Sequence, residues 1–402
     1  MAEKISRKDF IVTTGAAVTG LSALGFSTYT GSNETINLGI IGTGSRGNYI
    51  AQVLKKLPAI KLTACCDIRS ENLERGLSHA EPDALGYTEY QKMLETADID
   101  AVVIATPLHL HYKMAREAVE AGKHVYCEKT MTYAIDEAKK LADLVNDSSI
   151  KFQVGYQHRY NPLYQRIHQL VGEGSIGPVS YVECTWNRNG DWRRPVPDPS
   201  LEKLINWRMY REYSQGLMAE LCSHQIDIVN WVLGETPNQV SGFGGIDYWK
   251  DGRETYDNVH TVFKYPSGIK GKYSSITTNA HEGYSIRFYG KKATLEILGV
   301  SGHQAYIYAE QQPESREKSE EADAITKPTD KAWEQGEAIP LKVKGQANDD
   351  VGPTRMALAH FSDCIINDRE PLSNVHNGLS SAICVLKGNK AMRNGSIENM
   401  NV

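Results

Sequence analysis

The stretch Ile36-Asn-Leu-Gly-Ile-Ile-Gly-Thr-Gly-Ser-Arg-Gly47 constrains this chain more than any other. An apolar run ends in Gly42-x-Gly44-x-x-Gly47, and helical spacing follows at Tyr49, Ile50, Val53, Leu54 and Leu57. Strand, glycine turn and helix in that order are what a dinucleotide pyrophosphate needs. Gly42 allows the tight turn, Gly44 lets the phosphates approach bare backbone, and Gly47 lets helix and strand pack closely. Ser45 and Arg46, inside the same turn, are counted with the cofactor site. Asp67 stands about 20 residues after the turn, at the end of the next apolar run, where a carboxylate would accept from an adenosine ribose. The same carboxylate repels a 2′-phosphate, so NAD is expected over NADP. Arg46 and Arg69 stand near enough in sequence to soften that repulsion.

The pattern downstream alternates. A helical stretch covers 70–80, and a short helix covers 89–94. Ala101-Val-Val-Ile-Ala105 is an apolar run of strand length ended by Thr106-Pro107, and helical spacing over 109–121 closes at Gly122. His124-Val-Tyr-Cys127 reads as the next strand, 134–145 as a helix and 150–154 as a last strand. Strands alternating with helices of this length predict a doubly wound parallel sheet, whose ligands collect at the carboxyl ends of the strands. Those ends carry Asp67, Thr106, Glu128-Lys129 and Tyr156-Gln157-His158-Arg159.

Length and composition narrow the alternatives. At 402 residues the chain predicts two domains, because single cores stop growing near ~250–300 residues. A net charge of −5 gives no nucleic-acid surface. No apolar run reaches the ~18 residues of a membrane span. The seven cysteines show neither C-x-x-C nor a zinc-type Cys/His spacing, so no metal is expected. Cys65, Cys66 and Cys127 fall on core strands and read as small buried hydrophobes without disulfides. At the N-terminus, Ser6-Arg-Lys-Asp-Phe10 precedes a weakly apolar run, which reads as an export signal of twin-arginine type with Lys8 at the second arginine position. Residues 1–35 are thus expected to be signal and linker of a periplasmic protein; the alternative is a frayed helix of a cytoplasmic one.

The glycine fingerprint, Thr106-Pro-Leu-His-Leu-His111 and Gly122-Lys-His-Val-Tyr-Cys-Glu-Lys-Thr130 together resemble the Gfo/Idh/MocA family of sugar and inositol oxidoreductases, from about residue 36 onward. The resemblance implies a dinucleotide-binding domain over 36–158 and an α+β domain with a largely antiparallel sheet over 159–402. It implies NAD or NADP as cofactor, with Leu108, His109 and His111 beside the nicotinamide and Glu128, Lys129 and Gln157 completing that half. Lys129, from the family's E-K-P motif, would reach the reacting hydroxyl. Thr130 stands where that motif has proline, which removes the residue that makes a cis peptide cheap. His109 and His111 also fit helix N-cap and surface positions, and both readings stay open.

Past Asn161 a helix over 162–171 and a strand over 178–187 lead into a long loop, 188–207. Loops beyond about 12–15 residues are usually functional or disordered. Trp186, Trp192 and Trp207 with Arg188, Arg193 and Arg194 are groups that grip a sugar, though one or two of the tryptophans also suit loop anchors. In Gly216-Leu-Met-Ala-Glu-Leu-Cys-Ser-His-Gln-Ile-Asp-Ile-Val-Asn-Trp231, Glu220 and His224 are four apart and should stack on one helix face, with Asp227 three further on. The segment is similar to the family's D-x-x-x-H motif, with Glu220 in the Asp place. That implies His224 as base and Glu220 as the group orienting it; a lone helical histidine is also commonly structural. The remainder alternates in strand fashion to residue 298. A polar insertion is expected over 313–345, and two helices, 354–366 and 378–393, close the chain.

These readings combine into an oxidoreductase moving hydride between a sugar or glycoside hydroxyl carbon and a tightly held NAD. Lys129, His224 and Glu220 would do the chemistry, with Arg159, Tyr160, Trp186, Arg193, Trp207 and Asp227 on the substrate. Two alternatives stand beside it: a glycosidase that oxidises, eliminates, adds water and reduces again, and a cofactor-binding protein without chemistry. A homo-oligomer is expected through the free face of the second sheet.

Overall fold

Strand and glycine turn set the first layer. In the computed structural model, which describes residues 34–300, 304–310, 336–343 and 352–401, the alternation runs β1 Ile36–Ile41, α1 Ser45–Leu54, β2 Ile60–Cys66, α2 Ser70–Leu77, β3 Leu85–Tyr87, α3 Tyr90–Thr96, β4 Ala101–Ile104, α4 His111–Glu120, β5 His124–Cys127, α5 Ile135–Asn146 and β6 Phe152–Val154. The strands lie in the order β3-β2-β1-β4-β5-β6, every pairing parallel. The order reverses between β1 and β4, which opens a crevice at their carboxyl ends. The short edge strand β3 was not expected from the sequence. Three residues centred on Gly86, with Leu85 exposed, carry no alternation to read.

Strand residues divide between two cores with a period of two. Ala101 and Val103 of β4 face one core with Leu38, Ile40 and Tyr126, while Val102 and Ile104 face the other with Val125 and Cys127. The second layer comprises α6 Pro162–Gly172, β7 Val179–Trp186, α7 Ser223–Leu233, β8 Gln239–Gly245, β9 Asn258–Lys264, β10 Lys270–Ile276, β11 Tyr284–Gly290, β12 Ala293–Leu298, β13 Gln304–Ala309 and β14 Ala338–Pro340. The chain ends with α8 Gly352–Ile366, α9 Val375–Asn394 and β15 Glu398–Asn399. The nine strands order as β14-β13-β12-β11-β7-β10-β9-β8-β15, antiparallel except for the β7–β10 pair.

Helices α8 and α9 do more than end the chain. Ala357, Leu358 and Phe361 of α8 fill the core beneath β1 and β4, and Val375 and Ala382 of α9 join the core on the other face. A cut after residue 158 would leave both faces partly uncovered. All seven cysteines are free and buried, and burial pushes the Cys65 and Cys66 thiols up to about 12. The export-signal reading falls on residues 1–33, outside the described residues, as does most of the expected polar insertion. Among the described residues no helix is long and apolar enough to cross a membrane.

Candidate active site

Backbone builds the first wall of the cleft. Gly42 sits at φ +88°, and a Cβ there would meet Thr106 Cγ2 at 2.8 Å. A Cβ on Gly47 would lie 1.9 Å from the Gly42 carbonyl oxygen, so only glycine lets α1 start against β1. Above Gly44, by contrast, the nearest heavy atom to an added Cβ is 4.0 Å away, and the bare backbone faces open space at the N-terminus of α1. That arrangement fits a dinucleotide pyrophosphate. Asp67, at the end of β2, is held beside the turn by the backbone N–H groups of Thr43 and Arg69, each donating at 2.9 Å. The cleft these residues enter has a volume of about 1330 Å³, above the ~300–1,000 Å³ of ordinary ligand pockets. It has room for a dinucleotide and a second molecule.

The second wall begins at the end of β5. Arg46 of the glycine turn donates from Nε to Glu128 Oε1 at 2.7 Å, and the Glu128 carboxyl rests on Gly155, where a Cβ would come within 3.0 Å of it. Lys129 Nζ donates to the carbonyl oxygens of Glu220 at 3.0 Å and Ala219 at 3.4 Å. Burial holds its pKa below the ordinary lysine value, against the pull of Glu220 and Glu128. The Lys129–Thr130 peptide is cis although residue 130 is not proline. His111 is buried with Nδ1 2.8 Å from the Thr130 carbonyl and Nε2 2.9 Å from the Thr106 carbonyl, so it ties the ends of β4 and β5 together. Thr106, Leu108, His109, Gln157 and His111 all line the cleft.

The third wall departs from expectation. Residues Met218–Cys222 form a π turn before α7. An i→i+5 turn takes in an extra residue, a departure from the regular α-helix on which Glu220 and His224 were expected to stack. The Glu220 carboxylate accepts from Arg208 Nε at 2.7 Å and from Ser214 Oγ at 3.5 Å. Burial opposes its charge, but Arg208 and Lys129 together hold its pKa below the usual carboxylate range. His224 Nδ1 has no hydrogen-bond partner among the described residues. Burial, and then the charge of Lys129, push its pKa well below that of an ordinary imidazole. Its ring lies 5.2 Å from that of His158 and 5.6 Å from Trp186, centroid to centroid. A widened turn leaves no mark in apolar spacing, so the Arg208–Glu220 pair was not legible beforehand.

Of the residues expected on the substrate, Trp186 and Trp207 line the cleft with Lys129 and His224. Four others pack elsewhere. Arg159 and Asp227 form a buried two-pronged pair, with both bonds at 2.8 Å, and Arg159 also donates to the Leu372 carbonyl. The Tyr160 hydroxyl is buried against Ser373 Oγ at 3.1 Å. Arg193 is tied to Glu202 and Asp251 and braces the loop instead of entering the cleft. From residues 188–208 the guanidinium groups that line it are Arg188, Arg194 and Arg208. Arg188 packs 5.6 Å from the centroid of Trp186, and Arg208 lies 4.1 Å over Trp207. The loop itself is broken by short turns at Pro199–Leu201, Glu202–Ile205 and Trp207–Met209.

A 3-2-1-4-5-6 parallel sheet with a glycine turn and a carboxylate at its switch point defines a dinucleotide-binding fold. The chain belongs to the Gfo/Idh/MocA oxidoreductase family: residues 36–156 match its "NAD-binding Rossmann fold" and residues 168–401 its "C-terminal alpha/beta domain". Among its relatives is the uncharacterized oxidoreductase YrbE of Bacillus subtilis, 29% identical over 213 residues, which are 52% of this chain and 58% of that protein. The chain thus spans little more than half of YrbE. Levoglucosan dehydrogenase of Pseudarthrobacter phenanthrenivorans is 26% identical over 305 residues, covering 68% of this chain and 74% of that one. In fold, it is similar to scyllo-inositol dehydrogenase from Lactobacillus casei solved with NAD(H) and scyllo-inositol, with a TM-score of 0.68, 20% identity, and coverage of 91% of this chain and 99% of the other.

Proposed function

We propose that this protein is an NAD-dependent dehydrogenase of a sugar or glycoside hydroxyl. One observation carries the reading: Lys129, from the end of β5, and His224, from the far side of the π turn, enter the same cleft as the glycine turn. The nicotinamide, when bound, supplies the hydride acceptor. Lys129 spends two of its three donors on the Ala219 and Glu220 carbonyls, which leaves one for the substrate oxygen. That bond favours the alkoxide character developing as the carbon gives up hydride. His224, kept neutral by burial, takes the hydroxyl proton. Glu220, through Arg208, fixes the floor next to Trp207 instead of orienting the base. The apolar faces of Trp186 and Trp207 suit the C–H face of a sugar ring. Asp67 beside the turn favours NAD over NADP. The homo-oligomer remains part of the proposal, with exposed Phe243 and Val262 marking the outer face of β8 and β9.

The test is to supply sugars, polyols and aryl glycosides with NAD or NADP and follow reduced cofactor and released aglycone together. Reduced NAD without release supports the dehydrogenase. Aglycone release without net reduction would replace it with the glycosidase cycle, and no turnover across the panel would favour a binding protein.

A further inference from the structure

Arg194 belongs to the segment after β7, yet its Nη1 donates to Ser45 Oγ at 3.0 Å across a separation of 149 residues in sequence. Ser45 is the first residue of α1, directly behind the glycine turn. Two neighbouring arginines have carboxylate partners: Arg193 binds Glu202 and Asp251, and Arg208 binds Glu220. Arg194 has none among the described residues, and burial together with the nearby Arg208 lowers its pKa. Its main chain is nevertheless fixed. The Arg194 N–H donates to Asn206 Oδ1 at 2.8 Å, and its carbonyl accepts from Asn206 Nδ2 at 3.1 Å. A pinned backbone whose guanidinium, without a carboxylate partner, reaches the first residue of α1 next to the open backbone of Gly44 is the geometry of an anion clasp.

We propose that Arg194 binds the pyrophosphate of the dinucleotide from the side opposite the glycine turn, an inference that rests on the cofactor reading above. The phosphates then lie between the N-terminus of α1 and a guanidinium supplied by the same segment that carries Trp207 to the substrate. The cofactor leaves only when that segment lifts, and the segment therefore serves retention as well as recognition.

The test compares the wild-type chain with Arg194→Ala by titration with NADH, ADP-ribose and adenosine. The clasp predicts that Arg194→Ala weakens NADH and ADP-ribose by roughly ten- to a hundredfold, the range of a charge-assisted hydrogen bond. Adenosine, which has no pyrophosphate, should change by about twofold at most. Arg194→Lys should restore part of the loss, and raising salt should weaken the wild type more than Arg194→Ala. Unchanged NADH affinity in Arg194→Ala, or an equal loss for adenosine, overturns the clasp while leaving the cofactor reading intact. A wild-type chain that binds no NADH overturns both.

Discussion

The two long walls of the cleft are made of different material. On the glycine-turn side the positions facing the ligand are main chain: Gly42, Gly44 and the N-terminus of α1, with Asp67 held by two backbone N–H groups. On the opposite side they are side chains held by one another, with Arg208 on Glu220, Arg208 over Trp207, and Lys129 on the carbonyls of a π turn. A backbone wall is dictated residue by residue through sterics. A side-chain wall is dictated by which partners the tertiary fold brings together. The first tolerates almost no substitution at its glycines, and the second can be rebuilt for a new substrate without disturbing the sheet.

Removing the reactive groups separates the walls most sharply. Lys129→Ala and His224→Ala should each lower kcat by roughly 10²–10⁴-fold, while NADH affinity, read by fluorescence titration, stays within about threefold. If both variants keep full turnover, the chemistry lies elsewhere. Next in size is the buried pair behind the substrate wall. Asp227→Ala leaves Arg159 as a buried charge and should cost about 3–5 kcal/mol in urea unfolding, with little change in KM for the molecules that remain folded. A rise in KM without loss of stability would instead move Asp227 back toward the substrate.

Acid probes the same wall. Burial lowers the His158 pKa to about 4 and holds His224 low as well, whereas in the unfolded chain both would take protons near ~6.5. The unfolded state therefore binds more protons in this window. The stability gained by keeping His158 neutral is full above ~6.5 and is lost as pH falls toward about 4, by up to about 3 kcal/mol. Urea midpoints at pH 7 and pH 4.5 should show that drop, and His158→Phe should show less of it. A midpoint flat across the interval would mean that neither ring is buried neutral. The smallest effect belongs to the loop: Arg193→Ala, whose partners are partly exposed, should cost about 0.5–1 kcal/mol and move KM by only a few-fold.

The same contrast explains what could be read in advance. The parallel sheet, its glycine turn and the carboxylate after β2 followed from periodicity and from the steric demands on Gly42 and Gly47. The convergence of Lys129 and His224 followed only with the family resemblance. Glu220 was paired with the wrong partner because its spacing from His224 was read on a regular helix, and the π turn alters that register. Arg159 and Asp227 looked like ligand groups because charge in a sequence carries no sign of its partner. Once 68 positions are closed by folding they satisfy each other. Arg208 escaped for the converse reason, since it is defined by a carboxylate twelve residues on, and Arg194, expected to grip a sugar, is instead met by a serine in the opposite wall.

The packing of α8 and α9 on the parallel sheet has a consequence for how the protein is made. All six strands of the sheet, and the whole glycine turn, emerge from the ribosome before residue 155. The residues that complete its two cores, Ala357, Leu358 and Phe361 on one side and Val375 and Ala382 on the other, are translated only after β7–β14. The nucleotide half therefore waits, incompletely covered, through the synthesis of strands β7–β14 of the second sheet. Its closure comes only once α8 and α9 have been made, so a stretch written early is finished late.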